Sequence, residues 1–135
     1  MTMAFLDTNV LLRHLVGDHE VHSPRATALM HRIERGEVRV RIAETVIFET
    51  VYGLARIYRQ PKDKIRDGLL ALLELSSLML PSKPTIRRAF DFYVDLNMQF
   101  ADAYHAALME RLKVSQILSF DRDFDKVPGL ERIEP

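Results

Sequence analysis

The chain has 135 residues, which is long enough for one domain with a hydrophobic core and short for two. Its 47% hydrophobic and 28% charged residues exclude a disordered or fibrous protein. Nineteen basic residues balance nineteen acidic ones, so the net charge gives no argument for nucleic-acid binding. We therefore expect a single domain over residues 1–135.

Cysteine is absent from the chain, which excludes disulfides, thiolate zinc sites and a cysteine nucleophile. Any metal would have to be bound by oxygen or imidazole. The first residues are apolar, but they include Asp7, Arg13 and His14 and resemble neither a secretion signal nor a membrane span. We therefore expect a cytoplasmic location.

The first predicted elements are a strand and two helices. An apolar run over residues 3–6 predicts a buried strand that stops at Asp7, and helical spacing resumes directly after it. Ser23-Pro24 predicts the N-cap and the first turn of a second helix over about residues 24–35. Gly36 is expected to end that helix.

The middle of the chain predicts two strands that flank two helices. Residues 38–42 alternate between apolar residues and arginines, which predicts a half-buried strand or an edge strand. Pro61 separates the two helices, and residues 78–80 predict a short buried strand. The apolar positions of the helices are Phe48, Val51, Tyr52, Ala55 and Tyr58 in the first and Ile65, Leu69, Leu70, Leu72 and Leu73 in the second.

The last third of the chain again combines helices and strands. Helical spacing from Ile86 to Tyr93 predicts a helix, and another helix begins near Ala101. Residues 117–118 and 130–133 predict two more strands. Short strands that alternate with amphipathic helices indicate a mostly parallel sheet covered on both faces.

Ligands of such sheets bind beyond the carboxyl ends of the strands, and two acidic residues follow predicted strands there. Asp7 and Asp121, together with Glu49 and Asp102, are predicted to converge on one divalent-metal site. Gathered carboxylates repel one another and are stable as anions only around a cation. Bound Mg²⁺ or Mn²⁺ can generate a nucleophile from water and neutralise phosphoryl oxygens, so the pattern favours phosphodiester hydrolysis.

Each of these acids, taken alone, also has a purely structural interpretation. Asp7 could cap a helix, and Asp102 could complement the dipole of a first helical turn. Glu49 could be a surface charge beside Arg56. Glu44 lies roughly 140° around the same helix from Glu49, so we do not expect both to reach one ion, and we prefer Glu49.

Five stretches of the chain resemble the PIN domain and, within that family, the VapC toxins of prokaryotic toxin–antitoxin pairs. The resemblance covers essentially the whole chain, in the same order and at similar intervals, so the combination is far more specific than any single stretch. The stretches are FLDTN from Phe5, FETVY from Phe48, FADAYH from Phe100, LSFDRDF from Leu118 and VPG from Val127.

The resemblance implies a PIN-like three-layer α/β/α sandwich with a mostly parallel central sheet of four or five strands. It also implies a Mg²⁺- or Mn²⁺-dependent endoribonuclease in which Asp7, Glu49, Asp102 and Asp121 are the catalytic acids. Asp7, Asp102 and Asp121 would bind the metal. Further candidates around the metal or the phosphate are Thr8, Asn9, Glu44, Ser119 and Asp123.

The partners that the resemblance implies are an RNA substrate, a second copy of the chain in a homodimer, and a cognate VapB-type antitoxin. The antitoxin would insert a segment into the active-site groove. An arginine from that segment would pair well with exposed carboxylates, because its guanidinium group matches them in bidentate geometry.

The main alternative is a PIN-fold scaffold that binds RNA or protein without cutting, which would require the loss of at least one core acid. A phosphatase of the haloacid dehalogenase type needs a second aspartate where Asn9 stands. A receiver domain needs an acceptor aspartate after residues 78–80, where Pro81 stands. An EF-hand loop starting at Asp121 lacks the required glycine and distal glutamate. The histidines considered as a general base, without a supporting carboxylate pattern, are His14, His31 and His105.

Overall fold

A computed structural model describes residues 2–135 as two compact units, one ending at Pro81 and the other covering Ser82–Pro135. None of the helices in this described part is long and apolar enough to cross a membrane. The elements of the first unit are β1 (Met3–Phe5), α1 (Thr8–Val16), α2 (His22–Glu34), β2 (Arg39–Arg41), α3 (Glu44–Tyr52), a π-helical turn (Gly53–Ile57), α4 (Lys62–Leu73) and β3 (Leu78–Met79). The elements of the second unit are α5 (Lys83–Asp95), α6 (Phe100–Leu112), β4 (Gln116–Leu118), a 3₁₀ helix (Arg122–Lys126) and β5 (Glu131–Ile133).

All strand pairs within residues 2–135 are parallel, which confirms the predicted α/β class. The first unit contains a three-stranded sheet in the order β1-β2-β3, and in the second unit β4 pairs with β5. The number of strands matches the upper predicted value, but they form one sheet of three and one of two. β2 is the central strand of its sheet, so the alternative of an edge strand is wrong.

The core of the first unit lies around β2 and the helices that follow β1 and β2. Val40 and Ile42 are each 2% exposed, while Arg39 and Arg41 are exposed, which confirms the predicted alternation. Helix α1 packs against α2 and α3. Burying one such aliphatic side chain contributes about 1.5–3 kcal/mol. Other fully buried side chains of this unit are Leu11, Ile33, Ile47, Leu54, Ile65, Leu69, Leu73 and Leu78.

Helices α5 and α6 pack against each other and carry the core of the second unit. The ring of Phe90 lies 4.8 Å from the ring of Phe100 and 6.2 Å from that of Tyr93. On α6, Ala103 and Ala106 are buried, so small side chains stand on its packed face. The helical spacing predicted for this region is therefore confirmed.

The predicted N-cap at Ser23 is wrong, because α2 begins at His22. The ring of His19 replaces it: its Nδ1 accepts hydrogen bonds from the backbone N–H groups of Val21 at 3.2 Å and His22 at 2.9 Å. The Ser23 hydroxyl in turn accepts the backbone N–H of His19 at 3.0 Å. The start of α2 is thus capped by a histidine three residues before its first residue, a residue type that is not among the preferred caps.

Two predicted burial patterns also need correction. Tyr52, placed on the apolar face of α3, is 64% exposed, and Thr50 is fully buried instead. The Thr50 hydroxyl donates to the Val46 carbonyl at 2.6 Å, so its polar group is satisfied inside the unit. Phe5 is 76% exposed, and all three residues of β1 are exposed although this strand was predicted to be buried.

Two glycines of the first unit are expected to respond in opposite ways to a side chain. A Cβ on Gly53 would stand 3.3 Å from both terminal methyl carbons of Leu12, whereas a Cβ on Gly68, inside α4, would make an ordinary contact of 3.5 Å with Leu15. We expect Gly68→Ala to raise the free energy of unfolding by about 0.5–1 kcal/mol through helix propensity. Gly53→Val should lower it by about 1–3 kcal/mol through overpacking. Urea denaturation of both variants measures the two effects, and a stabilised Gly53→Val protein would contradict the packing of α1.

Candidate active site

In both units a backbone hydrogen bond extends the parallel strand pairing by one residue beyond the strand. An acidic residue follows shortly after this bond, near the carboxyl end of the strand. The Leu6 N–H donates to the Arg41 carbonyl at 3.0 Å, and Asp7 is the next residue. The Ser119 N–H donates to the Ile133 carbonyl at 3.1 Å, and Asp121 follows two residues later. The predicted order of strand, acid and helix is therefore confirmed for Asp7, and the predicted position of Asp121 just after a strand is confirmed. The 3₁₀ helix that follows Asp121 was not predicted.

Asp7 stands at the N-cap position of α1, but its side chain makes no capping hydrogen bond. The purely structural interpretation of Asp7 as a side-chain cap is therefore not supported, and its exposed carboxylate points to another use. The next residue, Thr8, is buried and donates its hydroxyl to Oε2 of Glu49 at 3.3 Å. This bond ties the start of α1 to α3.

The hydrogen bond from Thr8 favours Glu49 over Glu44 as the glutamate of the site. Glu49 is exposed and is linked to the residue next to Asp7. Glu44 is the first residue of α3, where its negative charge complements the N-terminal end of the helix dipole. Asn9 is exposed on the first turn of α1. Three of the predicted residues, Asp7, Thr8 and Glu49, therefore belong to one local arrangement.

In the second unit the carboxyl groups of Asp102 and Asp121 are neighbours. Asp102 is half-buried in the first turn of α6. Burial and then the negative charge of Asp121 raise the pKa of Asp102, while the nearby His105 ring opposes the shift. A hydrogen bond with Asp121 and the charge of Asp123 raise this pKa further. Two carboxyl groups held this close favour a bound cation.

The loop after β4 is held by hydrogen bonds that involve the predicted helper residues. The Ser119 hydroxyl accepts the backbone N–H of Asp121 at 3.0 Å. Oδ1 of Asp121 accepts the backbone N–H of Asp123 at 2.9 Å and so caps the 3₁₀ helix. The carboxylate of Asp123 forms an ion pair with Lys126 at 3.0 Å. Ser119 therefore acts on the backbone that carries Asp121.

Sequence reasoning missed Arg132, which braces this loop from β5. Its side chain is only 11% exposed and forms ion pairs with Asp125 at 3.0 Å and Glu134 at 2.9 Å. It also donates to the Ser119 carbonyl at 3.2 Å. The hydrogen bond and charge of Arg132 lower the pKa of Asp125. The available signal was an arginine flanked by Glu131 and Glu134 in a short predicted strand, a charge that is rarely buried unless it is paired.

Oxygen ligands are the only donors that these acidic residues offer, and hard oxygen ligands suit Mg²⁺ and Mn²⁺. Over residues 2–135, no group of three or more histidine, aspartate or glutamate side chains is arranged to bind a metal ion. The first unit supplies Asp7 and Glu49, and the second supplies Asp102 and Asp121. That all four meet at one ion stays a prediction.

The chain is an α/β protein with parallel strands and acidic residues beyond the ends of two of them, and comparison with known proteins gives the family. The family model for the PIN domain matches residues 4–130. The chain therefore belongs to the PIN domain family.

Curated relatives match over nearly their whole length. The chain is 28% identical over 133 residues to a protein named VapC ribonuclease from Aquifex aeolicus, covering 98% of this chain and 97% of the relative. It is also 28% identical over 135 residues to Ribonuclease VapC13 from Mycobacterium tuberculosis, covering 97% and 99%. A VapC ribonuclease from Mycobacterium bovis matches to the same extent. The resemblance inferred from the five stretches is thereby confirmed.

The Asp102–Asp121 pair predicts a pH-dependent stability difference. Because the folded-state pKa of Asp102 is raised, the folded protein binds more protons than the unfolded chain just above the ordinary aspartate pKa, and stability falls as pH rises through this range. Asp102→Asn should therefore unfold at a higher temperature, relative to the unmodified protein, at pH 7 than at pH 3. Thermal unfolding in EDTA at the two pH values measures this difference.

The matched control is Asp95→Asn, which removes an exposed aspartate at the end of the neighbouring helix α5. Its effect on the melting temperature should be similar at both pH values. Equal pH dependence in the two variants would show that neither burial nor the neighbouring Asp121 raises the pKa of Asp102 in the folded protein.

Proposed function

We propose that this protein is a divalent-metal-dependent endoribonuclease and the toxin component of a toxin–antitoxin pair. Membership in the PIN domain family and full-length similarity to proteins named VapC ribonucleases support the activity. The observation that carries the proposal furthest is the hydrogen-bonded pair of carboxyl groups at Asp102 and Asp121, because a cation bound beside them would relieve the repulsion between two neighbouring carboxylates.

The catalytic acids in this proposal are Asp7, Glu49, Asp102 and Asp121, with Asp7, Asp102 and Asp121 as ligands of Mg²⁺ or Mn²⁺. When bound, the metal supplies a nucleophile from water at neutral pH and neutralises charge on the phosphoryl oxygens. The exposure of Asp7 and Asp121 supports their role, because an approaching RNA strand can reach both carboxylates.

Other residues of the chain would orient these acids. The Thr8 hydroxyl donates a hydrogen bond to Oε2 of Glu49. This bond restricts the rotation of the carboxylate and therefore the direction of its other oxygen. The backbone N–H of Asp123 fixes one oxygen of Asp121 in the same way. Carboxylates that are already oriented in this way lower the entropic part of the activation free energy. Ser119 would contribute indirectly, through the backbone of Asp121.

The proposed partners are RNA, a second copy of the chain and a VapB-type antitoxin in the cytoplasm. The carboxylates of Asp7, Glu49 and Asp121 are exposed, so an inhibitory segment could pair with them through arginine side chains. Antitoxin binding in this manner would compete directly with metal and substrate. Copurification with the product of a neighbouring open reading frame, and relief of toxicity by its expression, test this part of the proposal.

Cleavage of a labelled RNA by the purified protein tests the activity. We expect cleavage with Mg²⁺ or Mn²⁺, none in EDTA, and a loss of about 100-fold or more in Asp7→Asn and Asp102→Asn, since each removes a charge that would hold the metal. Asp95→Asn, which lies outside the proposed site, should retain full activity.

Two results would contradict the proposal in different ways. Cleavage that persists in EDTA and in both variants would show that the acids and the metal are not required. RNA binding without any cleavage under all metal conditions would favour the alternative of a non-catalytic PIN-fold scaffold.

A further inference from the structure

A pocket in the first unit lies between α1 and α2 and is separate from the acidic residues. We call it the α1–α2 pocket. It has a volume of about 450 Å³, which falls in the range of small-ligand sites. The residues that matter for its chemistry are Asn9, Val10, Arg13, His22, Arg25 and Leu29.

The charge around the α1–α2 pocket is one-sided. Arg13 comes from α1 and Arg25 from α2, and no acidic residue lines the pocket. In the described part of the chain neither guanidinium group has an ion-pair partner, in contrast to Arg35 and Arg132. Two uncompensated arginines that face one cavity favour an anionic ligand, above all a phosphate group.

Apart from Asn9, the remaining lining of the pocket is apolar or aromatic. Val10 and Leu29 are both half-buried and leave apolar surface towards the cavity. His22 contributes an imidazole ring that stacks on His19 at 4.2 Å between ring centres. A ligand with a flat apolar part and a phosphate fits this combination, which is the combination used for single-stranded nucleic acids.

The position of the pocket along α1 connects it with Asp7. Asn9 lies two residues after Asp7, and Arg13 lies six residues after it, about 9 Å along the helix axis. An RNA strand whose phosphate is held by a metal ion bound at Asp7 would therefore bring a neighbouring nucleotide to this cavity. The carboxylates of an acidic peptide could also form ion pairs with the two arginines. Such side chains would not pack against the aromatic and aliphatic lining as a base or ribose would.

We propose that the α1–α2 pocket binds one nucleotide of single-stranded RNA beside the phosphodiester that is cut. Arg13 and Arg25 hold its phosphate, and Val10, Leu29 and His22 contact its base or ribose. The proposal rests on the proposed ribonuclease function. It assigns Arg13 and Arg25 to substrate binding and leaves the bond cleavage to the acids.

Binding of a fluorescein-labelled RNA of about 12 nucleotides, followed by fluorescence anisotropy in EDTA, tests the proposal without cleavage. We expect Arg13→Gln and Arg25→Gln each to weaken binding by about five- to tenfold. The plot of log affinity against log salt concentration should become less steep by about 0.7 per lost phosphate contact.

Arg39→Gln is the matched control. Arg39 is exposed and also has no ion-pair partner in the described residues, but it begins β2, at the end of the sheet opposite to Asp7. This variant should bind RNA with unchanged affinity and an unchanged salt slope. Circular dichroism of the three variants would show whether the helices remain intact.

The outcomes separate this proposal from the one on which it rests. If the unmodified protein cleaves RNA and the two pocket variants bind it like the Arg39→Gln control, the pocket is not a nucleotide site and the ribonuclease function stands. If the unmodified protein neither binds nor cleaves RNA, the proposed function itself fails. If the pocket variants lose only the complex with an antitoxin, the pocket is a protein interface and the nucleotide proposal is overturned.

Discussion

Parallel strand pairing is the constraint on which the candidate site depends. A parallel ladder sends the carboxyl ends of its strands to one edge, and in both units one further backbone hydrogen bond fixes the residue beyond the strand. Leu6 is bonded to Arg41 in this way and Ser119 to Ile133. The position of Asp7 therefore follows from the backbone, since its side chain makes no capping hydrogen bond. The Asp121 side chain additionally caps the 3₁₀ helix that follows it.

Charge compensation in the loop after β4 separates structural acids from the proposed catalytic ones. Asp123 is paired with Lys126, and Asp125 with Arg132. Asp121 has no such cation among the described residues and lies beside another acid, Asp102. Three aspartates at alternate positions thus have different environments, because Asp123 and Asp125 are paired with cations of the chain and Asp121 is not.

Sequence periodicity predicted most elements because apolar spacing reflects local geometry. The strands at Met3, Arg39, Leu78, Gln116 and Glu131 and the helices between them begin within a few residues of the predicted positions. The start of α2 was missed because it depends on the ring of His19, whose tautomer and position are tertiary properties. The brace from Arg132 and the link from Thr8 to Glu49 were missed for a similar reason, since they join residues that periodicity does not relate.

The π-helical turn that follows α3 lies between Glu49 and the rest of the first unit's chain. In this turn the Tyr58 N–H reaches back five residues to the Gly53 carbonyl at 3.2 Å, so the turn accommodates one residue more than an α-helical turn. Glu49 lies upstream of it and is fixed by Thr8 from the other side. Removal of one residue from the turn would restore a regular α-helix. Only the residues that follow the turn would then rotate about the helix axis. A one-residue deletion in this turn would therefore leave Glu49 and its bond to Thr8 in place.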